Sequence, residues 1–320
     1  DSIEDILFHD YTIKVRKGAT PYRETVYLSS DPANHPSHLV LGTLTIEAEY
    51  YWYGACEANG VANRIVDTGA FANVAVGDKV MVLDLNGANG RAQGYGIGSV
   101  TSIAGAPNYI ATDVGKTPTT NWKYTIVRTE ISGSDDGTDG GTARDHCFYL
   151  NTINNISIYG FYLTFSDARF IQLVNSRANK FSYCIVNNCD MGIWAYPSVN
   201  IYSEYVYFGV ESLAVTSIAN SFVQQKWCVW NSVAVTPGHL AYIARVAAVM
   251  FEYGYLDNGD RGCEVRALAS AYFSHTIISA NVNTELPEHD NSSIDFSWNC
   301  TNNAITPEDS AGTTEGAYIK

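Results

Sequence analysis

A repeat of about 22 residues constrains this chain more than any other feature. Five stretches share one shape: NKFSYCIVNN (Asn179–Asn188), NIYSEYVYFG (Asn200–Gly209), QQKWCVWNSV (Gln224–Val233), MFEYGYLDNG (Met250–Gly259) and YFSHTIISAN (Tyr272–Asn281). Anchored on Cys184, Tyr205, Trp227, Tyr253 and His275, they fall at steps of 21, 22, 26 and 22 residues. SIYGFYLTFS adds Phe161, 23 residues before Cys184. The long step holds Pro237 and Gly238, turn residues that lengthen one corner. Solenoids of helix pairs need longer units, and a sequence dominated by β-branched residues, Tyr and Asn is a weak helix former. The Leu-x-x-Leu-x-Leu pattern of horseshoe repeats is absent. An all-β solenoid remains, in which short strands stack coil on coil at about 4.8 Å.

Stacking turns residues one repeat apart into vertical neighbours. The column Phe161, Cys184, Tyr205, Trp227, Tyr253, His275 is then largely aromatic. A second column, Tyr183, Glu204, Lys226, Glu252 and Ser274, alternates in sign over its three charged members and is expected to face outward, with rings on that wall as well. Both parities of these strands are apolar, so alternation alone does not assign the faces.

From about Asp145 to Asn283 the pattern resembles the right-handed parallel β-helix family. The stretch Thr12–Val26 resembles the "tItVxxGxYxExV" start of such proteins, so residues 1–66 read as opening coils. Residues 67–129 read as a small β insertion, with a hairpin turning at Asn86-Gly87 and Asn89-Gly90. Residues 130–283 read as the coils, beginning after a Gly/Asp linker at 132–145, and 284–320 as a cap or tail.

Composition narrows the partners. The net charge of -14 disfavours nucleic acid and anionic lipid, and repels an acidic polysaccharide unless a basic patch or cation intervenes. Only 16% of residues are charged, against roughly a quarter in typical domains, and Tyr is abundant at 22. Seven Cys without a Cys-x-x-Cys pair signal neither zinc nor a full disulfide framework, and favour folding in a reducing cytoplasm. No apolar run reaches 18 residues, so membrane insertion is not expected. The opening does not read as a signal peptide, and a start at Asp1 is what a fragment or processed product would show.

Asp167, Asp190 and Glu211 follow at steps of 23 and 21, which places them at one corner of successive coils. Three arrangements satisfy that spacing: carboxylates splayed into solvent, carboxylates sharing a cation, or a hydrolytic pair in which proximity raises one pKa. Glu204 and Glu252 are second-line candidates, with Asp257 and Asp260 beside the latter. Arg245, Arg261, Arg266, His275 and Lys226 are basic groups that a lyase could use, or else corner salt bridges. Trp194, Tyr196, Tyr205, Trp227 and Trp230 are candidates for stacking on sugar rings, with Arg245 beside them, or for packing in a core or interface. SDDGTDGG (Ser134–Gly141) is oxygen-rich like a Ca²⁺ loop but lacks the EF-hand spacing; no other cofactor is indicated. GYGIGS (Gly94–Ser99) reads as hairpin, and His146 as structural. The sequons at Asn155, Asn291 and Asn299 are expected by chance in an Asn-rich chain.

The whole is similar to phage tailspikes and tail fibres. That resemblance implies a homotrimeric virion appendage, acting outside the cell, that recognises host surface polysaccharide. By the same resemblance, tailspike-like hydrolases place acids on neighbouring coils, as at Asp167, Asp190 and Glu211. The alternatives are a polysaccharide-degrading hydrolase or lyase, and a shaft or surface-layer element without ligand.

Overall fold

The structure is a computed structural model describing residues 10–23, 25–29, 42–57, 61–84, 94–134, 144–233, 240–257, 263–279, 293–297, 300–301 and 314–315. The chain winds as a parallel β-helix with three walls. Wall A stacks Tyr11–Val15, Leu44–Ala48, Ile156–Tyr159, Asn179–Ser182, Asn200–Glu204 and Phe222–Lys226, then the first halves of Ala248–Asp257 and Ser270–Ser279. Wall B stacks Thr129–Ser132, Phe161–Thr164, the starts of Ile185–Ala195 and Tyr207–Ile218, Val229–Ser232, and the second half of Ala248–Asp257. Wall C stacks Val26–Ser29, Arg144–Asn151, Ser166–Val174, the ends of Ile185–Ala195 and Tyr207–Ile218, Ala241–Ala244 and Glu264–Arg266. Partners such as Ser157 and Lys180, Asn179 and Ile201, Phe222 and Ala248 are 23, 22 and 26 residues apart, the expected repeat. The stack continues past Asn283: Ser293–Ser297 and Thr314–Glu315 add to wall A, and Cys300–Thr301 to wall B. Part of the expected cap therefore consists of further coils.

The inserted domain begins earlier than the sequence reading placed it. Tyr51–Ala55 and Arg64–Val66, expected in the opening coils, belong instead to a six-stranded antiparallel sheet. Its order is Tyr51–Ala55, Lys123–Val127, Lys79–Asp84, Gly94–Ser102, Tyr109–Thr112, Arg64–Val66. It interrupts one coil between Ala48 on wall A and Thr129 on wall B. The strand Lys79–Asp84 is apolar on both parities because both of its faces are covered. Val80 and Val82 enter the domain's own core with Phe71, Ile110 and Ile126, while Met81 and Leu83 press on the β-helix. The expected turns Asn86-Gly87 and Asn89-Gly90 lie outside the described residues.

This packing explains why wall B carries rings on both sides. Its outward column, Tyr162, Ile185, Tyr207, Val229, Tyr255, is covered by Met81, Leu83 and Val127 of the insertion. The Tyr95 hydroxyl bridges the two bodies, donating to Asp257 Oδ2 at 2.8 Å. The inward column, Leu163, Val186, Phe208, Trp230, Leu256, fills the lumen.

Each of five coils leaves wall A through one residue in the left-handed region: Tyr183, Tyr205, Trp227, Tyr253 and His275, with φ between 51 and 55°. That conformation costs a non-glycine residue roughly 1–2 kcal/mol. It also throws the ring outward over its neighbour. Centroids follow at 5.6, 4.5, 6.3 and 4.3 Å from Tyr183 to His275. Each stacked or tilted pair returns about 0.5–1.5 kcal/mol beyond burial. The aromatic ladder thus contains Tyr183 rather than Cys184, and the corner above it is Gly160 rather than Phe161. Cys184 and Phe161 are the next residues in the chain and turn inward, fully buried. Likewise Ser182, not Tyr183, precedes Glu204, Lys226, Glu252 and Ser274 in the charged column.

Gly160 is the rung without a ring. Its φ is +81°, and a Cβ there would lie 2.5 Å from the Tyr51 ring. Tyr51 and Tyr53, from the first strand of the insertion, cap the ladder instead, with centroids 6.0 and 3.9 Å from Tyr183. Gly160→Ala is expected to destabilise by more than the ~1 kcal/mol of backbone strain alone, because the new methyl must also displace Tyr51. A urea midpoint unchanged from wild type would refute this account of the corner.

The six described-side-chain cysteines, Cys56, Cys147, Cys184, Cys189, Cys228 and Cys263, are buried and free. Burial pushes the thiols of Cys184 and Cys228 up to about 12 from the usual 9.0. They should resist alkylation in the native protein at pH 8 and react on unfolding, as read by mass spectrometry. The unfolded thiols ionise first, so the unfolded state binds fewer protons above pH 9 and stability should fall from there towards pH 12.

Candidate functional site

Wall C presents a column that the sequence reading did not assemble: Tyr27, Tyr149, Gln172, Trp194, Thr216, Tyr242. Parallel in-register stacking places these side chains above one another; Tyr27 is exposed, Tyr149, Gln172, Trp194 and Tyr242 are half-buried, and Thr216 is buried. The Tyr27 and Tyr149 rings stack at 4.8 Å and 3°. His146 lies 5.4 Å from Tyr149. The Arg169 guanidinium sits 4.1 Å over the Trp194 ring and its Nη1 donates to Gln172 Oε1 at 2.9 Å. Arg266 lies 6.0 Å over Tyr242 and pairs with Glu264. Tyr27 is 46% exposed and Tyr196, at the end of the Trp194 strand, 39%. Tyr27 and Tyr149 give one face each to the other and Trp194 gives one to Arg169; the remaining faces and rims, flanked by guanidinium and amide groups, can stack on apolar rings and hydrogen-bond their edges.

The acidic residues border this wall. Between walls B and C the pairing register slips at Arg144/His146, Asn187/Cys189 and Cys189/Met191. Asp190 and Glu211 lie in that slipped stretch on successive coils, and Asp167 belongs to the strand of the coil before. Bulges re-aim side chains out of a ladder, and one coil step is about 4.8 Å. Glu211 is exposed and Asp190 half-buried. Beneath them the Cys189 thiol is pushed up to about 11, chiefly by burial, with Glu211 and Asp190 adding to the shift against hydrogen bonds from Ser166.

The remaining predicted residues scatter. Trp230 is a correction: it is fully buried in the lumen, 4.4 Å from Phe251, with Nε1 donating to Gln225 Oε1. It faces inward because its parity on wall B is that of Phe208 and Leu256. Tyr205 is 9% exposed within the ring ladder, and Trp227 is half-buried there beside Lys226 and Lys123. Neither shares wall C with Trp194. Arg245 is exposed at the corner from wall C back to wall A, in the left-handed region.

The second-line acid Glu204 accepts hydroxyls from Tyr183 at 2.8 Å and Tyr202 at 3.0 Å, which ties it into wall A. The phenols of both tyrosines are raised, first by burial and then by this carboxylate. Burial lowers the His275 pKa, opposed by Glu252.

Among the described residues no group of three or more His, Cys, Asp or Glu could hold a metal ion. Asp135–Gly141 of the proposed Ca²⁺ loop, Asp260, Arg261, Asn291 and Asn299 lie outside them. Tyr149, Gln172, Trp194, Thr216 and Tyr242 are separated by 23, 22, 22 and 26 residues, so the signal for wall C was present in the sequence.

No family profile matches the sequence, and no curated protein does. Among solved structures, the chain is similar to the Gp54 tailspike of Acinetobacter baumannii bacteriophage AP22, in complex with A. baumannii capsular saccharide. Identity is 10% and the TM-score 0.30, over 97% of this chain and 62% of that one, so less than two thirds of that tailspike is spanned. The Pseudomonas phage phi297 tailspike gp61 is 10% identical with a TM-score of 0.25, over 98% and 67%. Tailspike gp49 from Pseudomonas phage LKA1 is 9% identical with a TM-score of 0.24, over 96% and 70%. All three are phage tailspikes, the kind of protein the repeat pattern resembles, and this chain, by its own stacked coils, is a parallel β-helix.

Proposed function

We propose that this chain is a tailspike-like virion appendage that binds surface polysaccharide of a bacterial host, as a homotrimer, through wall C. The observation that carries the reading is the outward column Tyr27, Tyr149, Gln172, Trp194 with Arg169 stacked on Trp194. It supplies several ring faces in register, spaced by the coil step, which suits a chain of linked sugars rather than one small ligand. Retention on immobilised capsular or O-antigen polysaccharides tests it. Trp194→Ala should weaken binding to the retained polymer at least about tenfold, or ~1.4 kcal/mol, with Trp194→Phe keeping most of it. Retention indifferent to Trp194→Ala would remove wall C from consideration. A solution mass other than three chains would remove the trimer.

A second reading is hydrolysis of the bound polymer. It is favoured by the slipped register between walls B and C, the stretch of successive coils in which Asp190 and Glu211 lie. One carboxyl would protonate the leaving oxygen while another acts as nucleophile or base. New reducing ends, lost in Asp190→Asn or Glu211→Gln, are its signature; unsaturated products absorbing in the ultraviolet would instead mark a lyase. Polymer recovered intact after retention leaves binding alone.

A further inference from the structure

A second site lies away from wall C, where the start of the chain meets the root of the inserted domain. There a cleft of about 180 Å³ is lined by Lys17, Gly77, Lys79, Arg128, Glu130 and Tyr162, among others. Three cations face it against one lining carboxylate, in a chain of net charge -14. Two of these groups are already committed. Arg128 pairs with Asp78 at 2.8 Å, and Glu130 accepts the Thr164 hydroxyl at 3.0 Å. Neither lysine is in an ion pair among the described residues. Among the described residues, Lys79 Nζ has the Ser99 hydroxyl at 3.2 Å and the Tyr162 ring centroid at 5.5 Å, with no carboxylate partner. Among the described residues Lys17 has no ion pair either, and it is exposed.

The volume is well below the roughly 300–1,000 Å³ of pockets for drug-sized ligands, so the occupant is small. A half-buried ammonium poised over a ring, with a free one at the rim, calls for an anion with an apolar face. We propose that this cleft binds a single carboxylate-bearing sugar of the hexuronate class, its carboxylate between Lys79 and Lys17. The sugar part of the assignment rests on the carbohydrate reading above; the preference for an anion rests on the charge of the cleft alone. It also provides the local basic patch without which a chain this acidic would repel an acidic polymer.

Calorimetric titration of the intact chain with glucuronate, glucose and inorganic phosphate tests the proposal. Glucuronate should bind in the millimolar range, and glucose should give no signal. Lys79→Met should weaken glucuronate at least tenfold, and Lys17→Ala, at an exposed position that leaves folding untouched, about threefold. Trp194→Ala should leave glucuronate binding unchanged while weakening polymer binding, which separates failure here from failure at wall C. Equal response to glucose and glucuronate, or wild-type binding by both lysine variants, would overturn the site. Phosphate binding as tightly as glucuronate would overturn the sugar assignment.

Discussion

Arg128→Ala should lower stability by about 3–5 kcal/mol, the usual cost of stranding one charge of a buried pair. Asp78 is wholly buried, and Arg128 reaches it through two hydrogen bonds, Nε to Oδ1 at 2.9 Å and Nη2 to Oδ2 at 2.8 Å. The guanidinium also binds the Asn73 carbonyl and lies 5.1 and 5.2 Å over the Tyr50 and Trp52 rings. Position sharpens the effect. Tyr50 and Trp52 begin the inserted domain, and Arg128 joins its last strand to wall B. One residue therefore ties both ends of the insertion to its core. Pairing Arg128→Met with Asp78→Leu should recover part of the loss, because two apolar groups leave no buried charge. Recovery should be incomplete, since Asp78 Oδ2 also accepts the Ala75 N–H at 2.8 Å. Urea unfolding of the three variants measures this; a single variant within 1 kcal/mol of wild type, about a fivefold change in the folding equilibrium, would show that solvent already screens the pair.

Trp230→Ala should cost a comparable amount, on the order of 3–5 kcal/mol, for a different reason. The indole fills the lumen between walls A and B, against Phe251 and beside Phe208 and Leu256 of its own column. Truncation leaves a cavity that rigid stacked coils cannot collapse into, and strands the buried Gln225 carbonyl oxygen that accepts its N–H. Trp230→Phe separates the two costs: it keeps most of the volume and loses the hydrogen bond, so about 1–3 kcal/mol is expected. The same substitutions should leave polysaccharide retention per folded molecule unchanged, because Trp230 has no exposed atoms. Loss of retention in the folded Phe variant would place Trp230 in the site after all.

The repeat was legible because each coil repeats one sequence of corner, strand and corner, and the step of 22–26 residues survives translation into Cα partners. The exact column was not. Both parities of wall B are apolar, one facing the lumen and the other the inserted domain, so nothing in the alternation distinguishes Tyr183 from Cys184. The residues at the left-handed corners are aromatic, where Gly or Asn would have announced the conformation. Tyr51–Ala55 reads like any coil strand; only its antiparallel pairing with Lys123–Val127 assigns it to the insertion. Wall C was missed for a simpler reason. Its column mixes Tyr, Gln, Trp and Thr, so like residues do not line up even though the steps do.

What the chain's order of residues determined by itself was a period, and with it the parallel stacking of successive coils. Periodicity survives because most coils close over nearly the same number of residues, 22 or 23. Which rings face solvent, which face the lumen and which lie under the inserted domain was decided only in three dimensions. A side chain's face depends on what covers the wall, and here the cover comes from an inserted domain distant in the sequence from most of the strands it covers.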